Sequence, residues 1–118
     1  MRPIAFAIGL CILPVTAFAE PPVIENVAAT RSGGTWRFDV TIRHPDSGWD
    51  HYADGWRVLD MNGKELAMRP LAHPHTDEQP FTRSLSGVTV PADAAQVQVQ
   101  ARDYPNGWNS DTTVVTLK

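Results

Sequence analysis

All four histidines, His44, His51, His73 and His75, fall in two short stretches between strand-like runs. Side chains that bind metals are costly to leave in loops without a purpose, because loops on a rigid scaffold are where function tends to be carried. His73-Pro74-His75 sets two imidazoles at i and i+2. Pro74 biases His73 toward an extended conformation, and alternate side chains of an extended chain share a face. The pair therefore suits two neighbouring positions on one ion, with a third nitrogen from His44 or His51. Asp46, Asp50, Asp54, Asp77 or Glu78 can add an oxygen or orient a ring from behind. Imidazole with carboxylate and no thiolate favours copper or zinc, as Cu(II) or Zn(II). The competing reading is structural, with loop histidines bonded to backbone groups or facing water. Calcium fits less well, since Asp46, Asp50 and Asp54 are spaced by four and not by the alternate positions of an EF-hand loop.

Aromatic residues crowd the same stretches. Gly48-Trp49-Asp50 and Gly107-Trp108-Asn109 are similar short pieces, and Tyr52 and Tyr104 lie beside them. An indole next to glycine and a carboxylate or amide suits stacking combined with hydrogen bonding. Trp49, Tyr52, Tyr104 and Trp108 are therefore candidate contacts for a sugar ring or a partner protein. Their bland alternative is to plug the end of the core. Catalysis has thinner support: Ser47, Ser84, Ser86 and Ser110 lack a nucleophile-elbow pattern, and a His beside a carboxylate without an activated nucleophile predicts no reaction. A non-enzymatic binding domain is the expectation. Arg83 is expected to pair with Glu78 or Asp77 at the base of its loop.

The elements that must hold these residues begin after a leader. Arg2, an apolar run over 4–18 and Ala17-Phe18-Ala19 read as an export signal cleaved after Ala19. That leaves one domain, 20–118, periplasmic or secreted. The run is too short for a membrane helix, so an integral membrane protein is not expected. A lipoprotein reading through Cys11 is the rival, but Leu10 stands where a small residue is wanted. The chain's one cysteine lies in this leader, so the domain must fold without a disulfide. The formal net charge of −3 and the lack of a basic stripe argue against nucleic acid and leave a metal ion or an envelope protein as partner.

Residues 35–43 are the clearest strand: Trp36, Phe38, Val40 and Ile42 alternate with Arg37, Asp39, Thr41 and Arg43. Further strands are expected over 23–30, 55–61, 64–71, 81–90, 96–103 and 112–117, with Asn62-Gly63 as a tight hairpin turn and a possible helical turn at 91–95. Seven strands with turn signals between them and no helical period argue an antiparallel β-sandwich.

Ile42-Arg43-His44-Pro45, Trp56-Arg57-Val58 and Val97-Gln98-Val99-Gln100-Ala101 resemble the second, third and sixth strands of a fibronectin type III or immunoglobulin-like module. Ile42 departs from the usual tryptophan, and Ala95 from the corner tyrosine. The resemblance implies architecture alone, because this superfold hosts many functions. Strands that alternate direction send the loops 44–54, 72–80 and 103–111 to one end, and with them every histidine.

Overall fold

The computed structural model describes residues 20–118. The expected leader at 1–19, with its cleavage site and Cys11, lies outside them. Among the described residues the regular elements are all strands: β1 Val23–Ser32, β2 Thr35–Arg43, β3 Tyr52–Leu59, β4 Glu65–Pro70, β5 Phe81–Val88, β6 Gln96–Tyr104, β7 Gly107–Trp108 and β8 Thr113–Thr116. They form two antiparallel sheets. One has the order β1-β2-β5. The other has the order β4-β3-β6-β7, with β8 also paired to β6.

Period-two patterning accounts for the core. On β2 the alternate residues Trp36, Phe38, Val40 and Ile42 are buried, and on β6 so are Val97, Val99 and Ala101. They meet Trp56 and Val58 of β3 and Phe81 and Val88 of β5 in one cluster between the sheets. β3 carries two register irregularities, between Ala53 and Gly55 against β6 and between Val58 and Leu59 against β4. Such bulges turn adjacent residues inward, and Gly55 and Trp56 are both buried here.

The described residues form eight strands where the sequence pattern predicts seven. The expected loop at 103–111 contains a hairpin: Tyr104, Pro105 and Asn106 turn the chain, Gly107 adopts a φ of 86°, and β7 pairs with Arg102 and Asp103. Asn109 N still donates to Ala101 O of β6 at 2.9 Å, and the chain leaves the ladder after it. The Asn109 side-chain amide donates to the Pro22 carbonyl at 2.8 Å, and its own carbonyl accepts from Gln100 Nε2 at 2.6 Å. Pairing resumes only at β8, opposite Gln96–Val99.

The turn at Asn62-Gly63 is also not the two-residue form. Among the described residues only glycines have positive φ, so Asn62 does not take the left-handed conformation that form requires. Asp60 builds the turn instead, its Oδ1 accepting from the amides of Asn62 and Lys64, both at 2.9 Å. Residues 91–95 form a single hydrogen-bonded turn, Ala94 N donating to Pro91 O at 3.0 Å.

The loops after β2 and β4 do meet at one end, and the end of β6 joins them where His51 Nε2 donates to Asp103 Oδ2 at 2.6 Å. His44 N donates to Gln79 Oε1 at 2.9 Å, and Leu71 N donates to Asp54 O at 3.0 Å. Truncating the centre of the core should be severe. Phe38→Ala is expected to cost about 3–5 kcal/mol, the usual range for a buried aromatic, read as a lower urea midpoint with an unchanged denaturant slope.

Candidate metal centre

The inward phase of three core strands, continued past the apolar residues, ends in polar ones. His44 follows Ile42 of β2, His51 precedes Ala53 of β3, and Asp103 follows Ala101 of β6. His44 and Asp103 are 0% and 1% exposed. The donor atoms of His44, His51 and Asp103 all lie within 4.8 Å of one another. His51 Nε2 is 2.6 Å from Asp103 Oδ2, and His44 Nε2 is 3.6 Å from the same oxygen. The two imidazoles meet edge to face, with ring centroids 4.5 Å apart. The cluster straddles the sandwich, His44 coming from one sheet and Asp103 from the other.

Asp46 fixes the orientation of His44. Its carboxylate is buried, with Oδ1 accepting from His44 Nδ1 and from Ala53 N at 3.0 Å, and Oδ2 accepting from His75 N at 2.7 Å. A neutral ring that donates from Nδ1 to a carboxylate carries a lone pair on Nε2. That Nε2 is buried and has no hydrogen-bond partner. It faces Asp103 Oδ2 at 3.6 Å, which sets two electron-rich atoms toward each other in a site shielded from water. A shared proton would draw such a pair to about 2.7–3.2 Å, as with His51 Nε2, which donates to the same oxygen at 2.6 Å and would have to give up that proton to an ion. Ligands about 2.0–2.2 Å from a common tetrahedral ion stand about 3.3 Å apart, close to the observed spacing.

His73 and His75, expected to supply the primary pair of ligands, are placed elsewhere and do not enter this group. The His75 ring stacks on Phe81 at 3.9 Å and 9°, and its Nε2 accepts from Arg83 Nη2 at 2.9 Å. His73 is exposed and its Nδ1 donates to the Pro74 carbonyl at 2.9 Å. The two rings are near neighbours, at 4.7 Å, but one lone pair of His75 is already taken by a guanidinium. Arg83 also reaches Glu78 at 3.3 Å, the expected pair. The three spaced aspartates hold no common site either: Asp46 serves the network above, Asp54 pairs with Arg102 at 3.0 Å, and Asp50 is exposed.

The aromatics separate from the histidines. Tyr52 and Tyr104 are cross-strand partners, one residue out of phase with the buried Ala53 and Asp103, so they stand on the outer face of the sheet. Tyr104 is 50% exposed and Trp49, at the tip of the 48–51 turn, is 65% exposed. Trp49 packs against Tyr52 at 5.5 Å and Tyr52 against Tyr104 at 6.2 Å. Trp108 is not part of this stack. The Arg57 guanidinium lies 3.9 Å and that of Arg102 5.0 Å from its ring centroid. Neither Trp49 nor Trp108 plugs the core.

Asp103 is the functional candidate that sequence reasoning missed. Its signal was present: it is the next inward step after Val97, Val99 and Ala101. It ends the strand expected over 96–103 and opens the 103–111 loop, and a lone aspartate there has no ligand spacing to mark it as a donor.

No family model matches the chain. It is similar to a protein of Halomicrobium mukohataei described as "Putative lipoprotein", 35% identical over 96 residues that cover 81% of this chain and 47% of that protein. The chain thus spans about half the length of this relative. Its backbone is similar to that of a hypothetical protein of Pyrococcus horikoshii OT3, with a TM-score of 0.54 and 12% identity over 84% of this chain and 88% of that one. At that identity the likeness concerns the fold alone. No helix among the described residues is long and apolar enough to cross a membrane.

Beside the cluster, His75 is held below the ordinary imidazole range, first by burial and then by the charge of Arg83, against a weaker opposite pull from Asp46 and Glu78. Below about pH 6.5 the unfolded chain then binds more protons at this position than the folded one, so stability falls as pH drops through that region. The urea midpoint should decline between pH 7.5 and pH 5.5, and less steeply in His75→Gln, whose amide oxygen still accepts from Arg83. Equal slopes in the two proteins would remove His75 as the cause.

Proposed function

We propose that this chain is an exported, non-enzymatic domain that binds a transition-metal ion, Cu(II) or Zn(II), through His44, His51 and Asp103. One observation carries the reading: the buried, unpartnered Nε2 of His44, locked in its tautomer by Asp46 and aimed at a carboxylate shared with a second imidazole. Two imidazoles and a carboxylate without thiolate are the donor set of such ions. The leader and the relative described as a lipoprotein support an envelope or extracellular setting, periplasmic or secreted. The strand order, β1-β2-β5 against β4-β3-β6 with β7 and β8, supports an immunoglobulin or fibronectin III type of sandwich with a divided last strand.

An ion that binds only the folded chain stabilises it by about 2.7 kcal/mol at a hundred times its Kd. For a domain of this size that raises Tm by about 10 °C or more. Zn(II) or Cu(II) added to metal-free protein should produce that rise at one equivalent, and the rise should shrink at lower pH, because binding releases protons. His44→Ala and Asp103→Ala should abolish it, whereas His73→Ala should retain it. Retention of the full rise in His44→Ala would sink the assignment. Asp46→Asn should weaken binding by about 10- to 100-fold, the usual cost of losing a partner behind a ligating histidine. The asparagine cannot accept from both His44 Nδ1 and His75 N through two oxygens. With its NH2 toward His44 it would also favour the tautomer with a proton on Nε2.

A second reading, an interaction module, is favoured by the exposed stack of Trp49, Tyr52 and Tyr104. A protein surface or a carbohydrate is its ligand. Because this stack faces away from the cluster, Trp49→Ala should leave metal binding and Tm unchanged, and only the interaction reading gives that variant a phenotype.

A further inference from the structure

Resting on the metal reading above, we infer that the bound ion keeps one exchangeable coordination position on the side of His51 and Asn106, and that this position takes a small monovalent anion with a nitrogen or oxygen donor. Three protein donors converge, and the described residues bring no fourth His, Cys, Asp or Glu into the group. A tetrahedral ion with three protein ligands completes its shell from outside, the arrangement of sites that exchange ligands and not of closed structural ones.

Access is one-sided. The side chains of His44 and Asp103 are 0% and 2% exposed, while that of His51 is 17% exposed. An external ligand therefore arrives past the His51 ring. Asn106 stands on the same side, in the β6–β7 turn. It is exposed, and its Nδ2 donates to Asp103 Oδ2 at 3.0 Å. That is the oxygen the ion takes. Coordination draws electron density from Oδ2 and weakens it as an acceptor, leaving the Asn106 amide a donor in search of a partner beside the incoming ligand. The charges point the same way. A dication with two neutral imidazoles and one carboxylate has a net charge of +1, which one small anion neutralises. A bulky polyanion would meet the exposed carboxylate of Asp50 in the adjoining turn.

The probe is sodium azide added to protein loaded with one equivalent of Co(II), at constant ionic strength held with perchlorate. Visible absorption reports the metal's ligand set, and dialysis reports whether Co(II) stays bound. The expected result is a saturable spectral change with one azide per Co(II) and no loss of metal. Asn106→Ala should weaken azide about three- to tenfold, the worth of one hydrogen bond, with Co(II) affinity within about twofold of the parent. An unchanged spectrum on a chain that holds one Co(II) would overturn the exchangeable position and leave the metal site standing. Loss of Co(II) binding in Asn106→Ala, with its melting curve intact, would make Asn106 a ligand and equally overturn it. Failure of the parent chain to hold Co(II), Zn(II) or Cu(II) at all would remove the metal reading, and this inference with it.

Discussion

The Asp46 carboxylate is the contact on which this end of the molecule depends. A buried charge is costly unless its lone pairs are met, and here three donors from separate places meet them: a ring two residues back, the Ala53 amide at the start of β3, and the His75 amide from the loop between β4 and β5. One side chain thus ties two loops and a strand together. It also selects which nitrogen of His44 keeps a lone pair. Without that selection the ring could turn its proton inward, satisfy Asp103 and leave nothing for an ion to bind.

Strand phase decides what lies beside what. Histidines and aromatics arrive at one end of the sandwich because successive strands reverse, and the expected strand order alone implies this. Which face each residue takes within that end depends on a parity of one. His44, His51, Ala53 and Asp103 continue inward positions, while Tyr52 and Tyr104 are one step out of phase. Sequence patterning placed β2 to the residue but began the third strand at 55, where the structure begins it at Tyr52 and ends it at Leu59. It stopped counting where the first proline or glycine appeared. Asp103 shows a different limit: the alternation through Val97, Val99 and Ala101 carries the expected strand to it, but nothing local marks a lone aspartate at a strand end as a donor.

Other features were not legible because they depend on competition. His73-Pro74-His75 has a spacing that suits an ion, and spacing says nothing about who else wants the lone pair. Arg83 lies eight positions from His75, yet β5 brings its guanidinium onto the imidazole, while Phe81 supplies a flat surface for the ring. The Asn109 side chain reaches back across 87 positions to Pro22, and its carbonyl is taken by the Gln100 side chain, at the point where the last strand divides. No local pattern encodes such a choice. The tryptophans are similar: Trp49 and Trp108 have matching neighbours in sequence, but only Trp108 has two arginines from adjacent strands within reach.

The position of the cluster bears on why it is polar at all. Residues at the inner ends of β2, β3 and β6 cap an apolar core, and leucine or valine there would bury well. A buried donor set with an orphaned acceptor instead costs about 1–3 kcal/mol for that acceptor alone, in a domain whose single cysteine precedes it and which has no cross-link. An apolar replacement of a buried charged group is often neutral or stabilising, so packing gives no reason for this arrangement. An ion does. Bonded to His44 from the β1-β2-β5 sheet and to Asp103 from the β3-β6 side, it would convert two opposed electron-rich atoms into ligands. It would also join the two sheets directly. The same contacts that weaken the metal-free domain would then strengthen the loaded one, and that difference between the two states is the thermodynamic condition for binding.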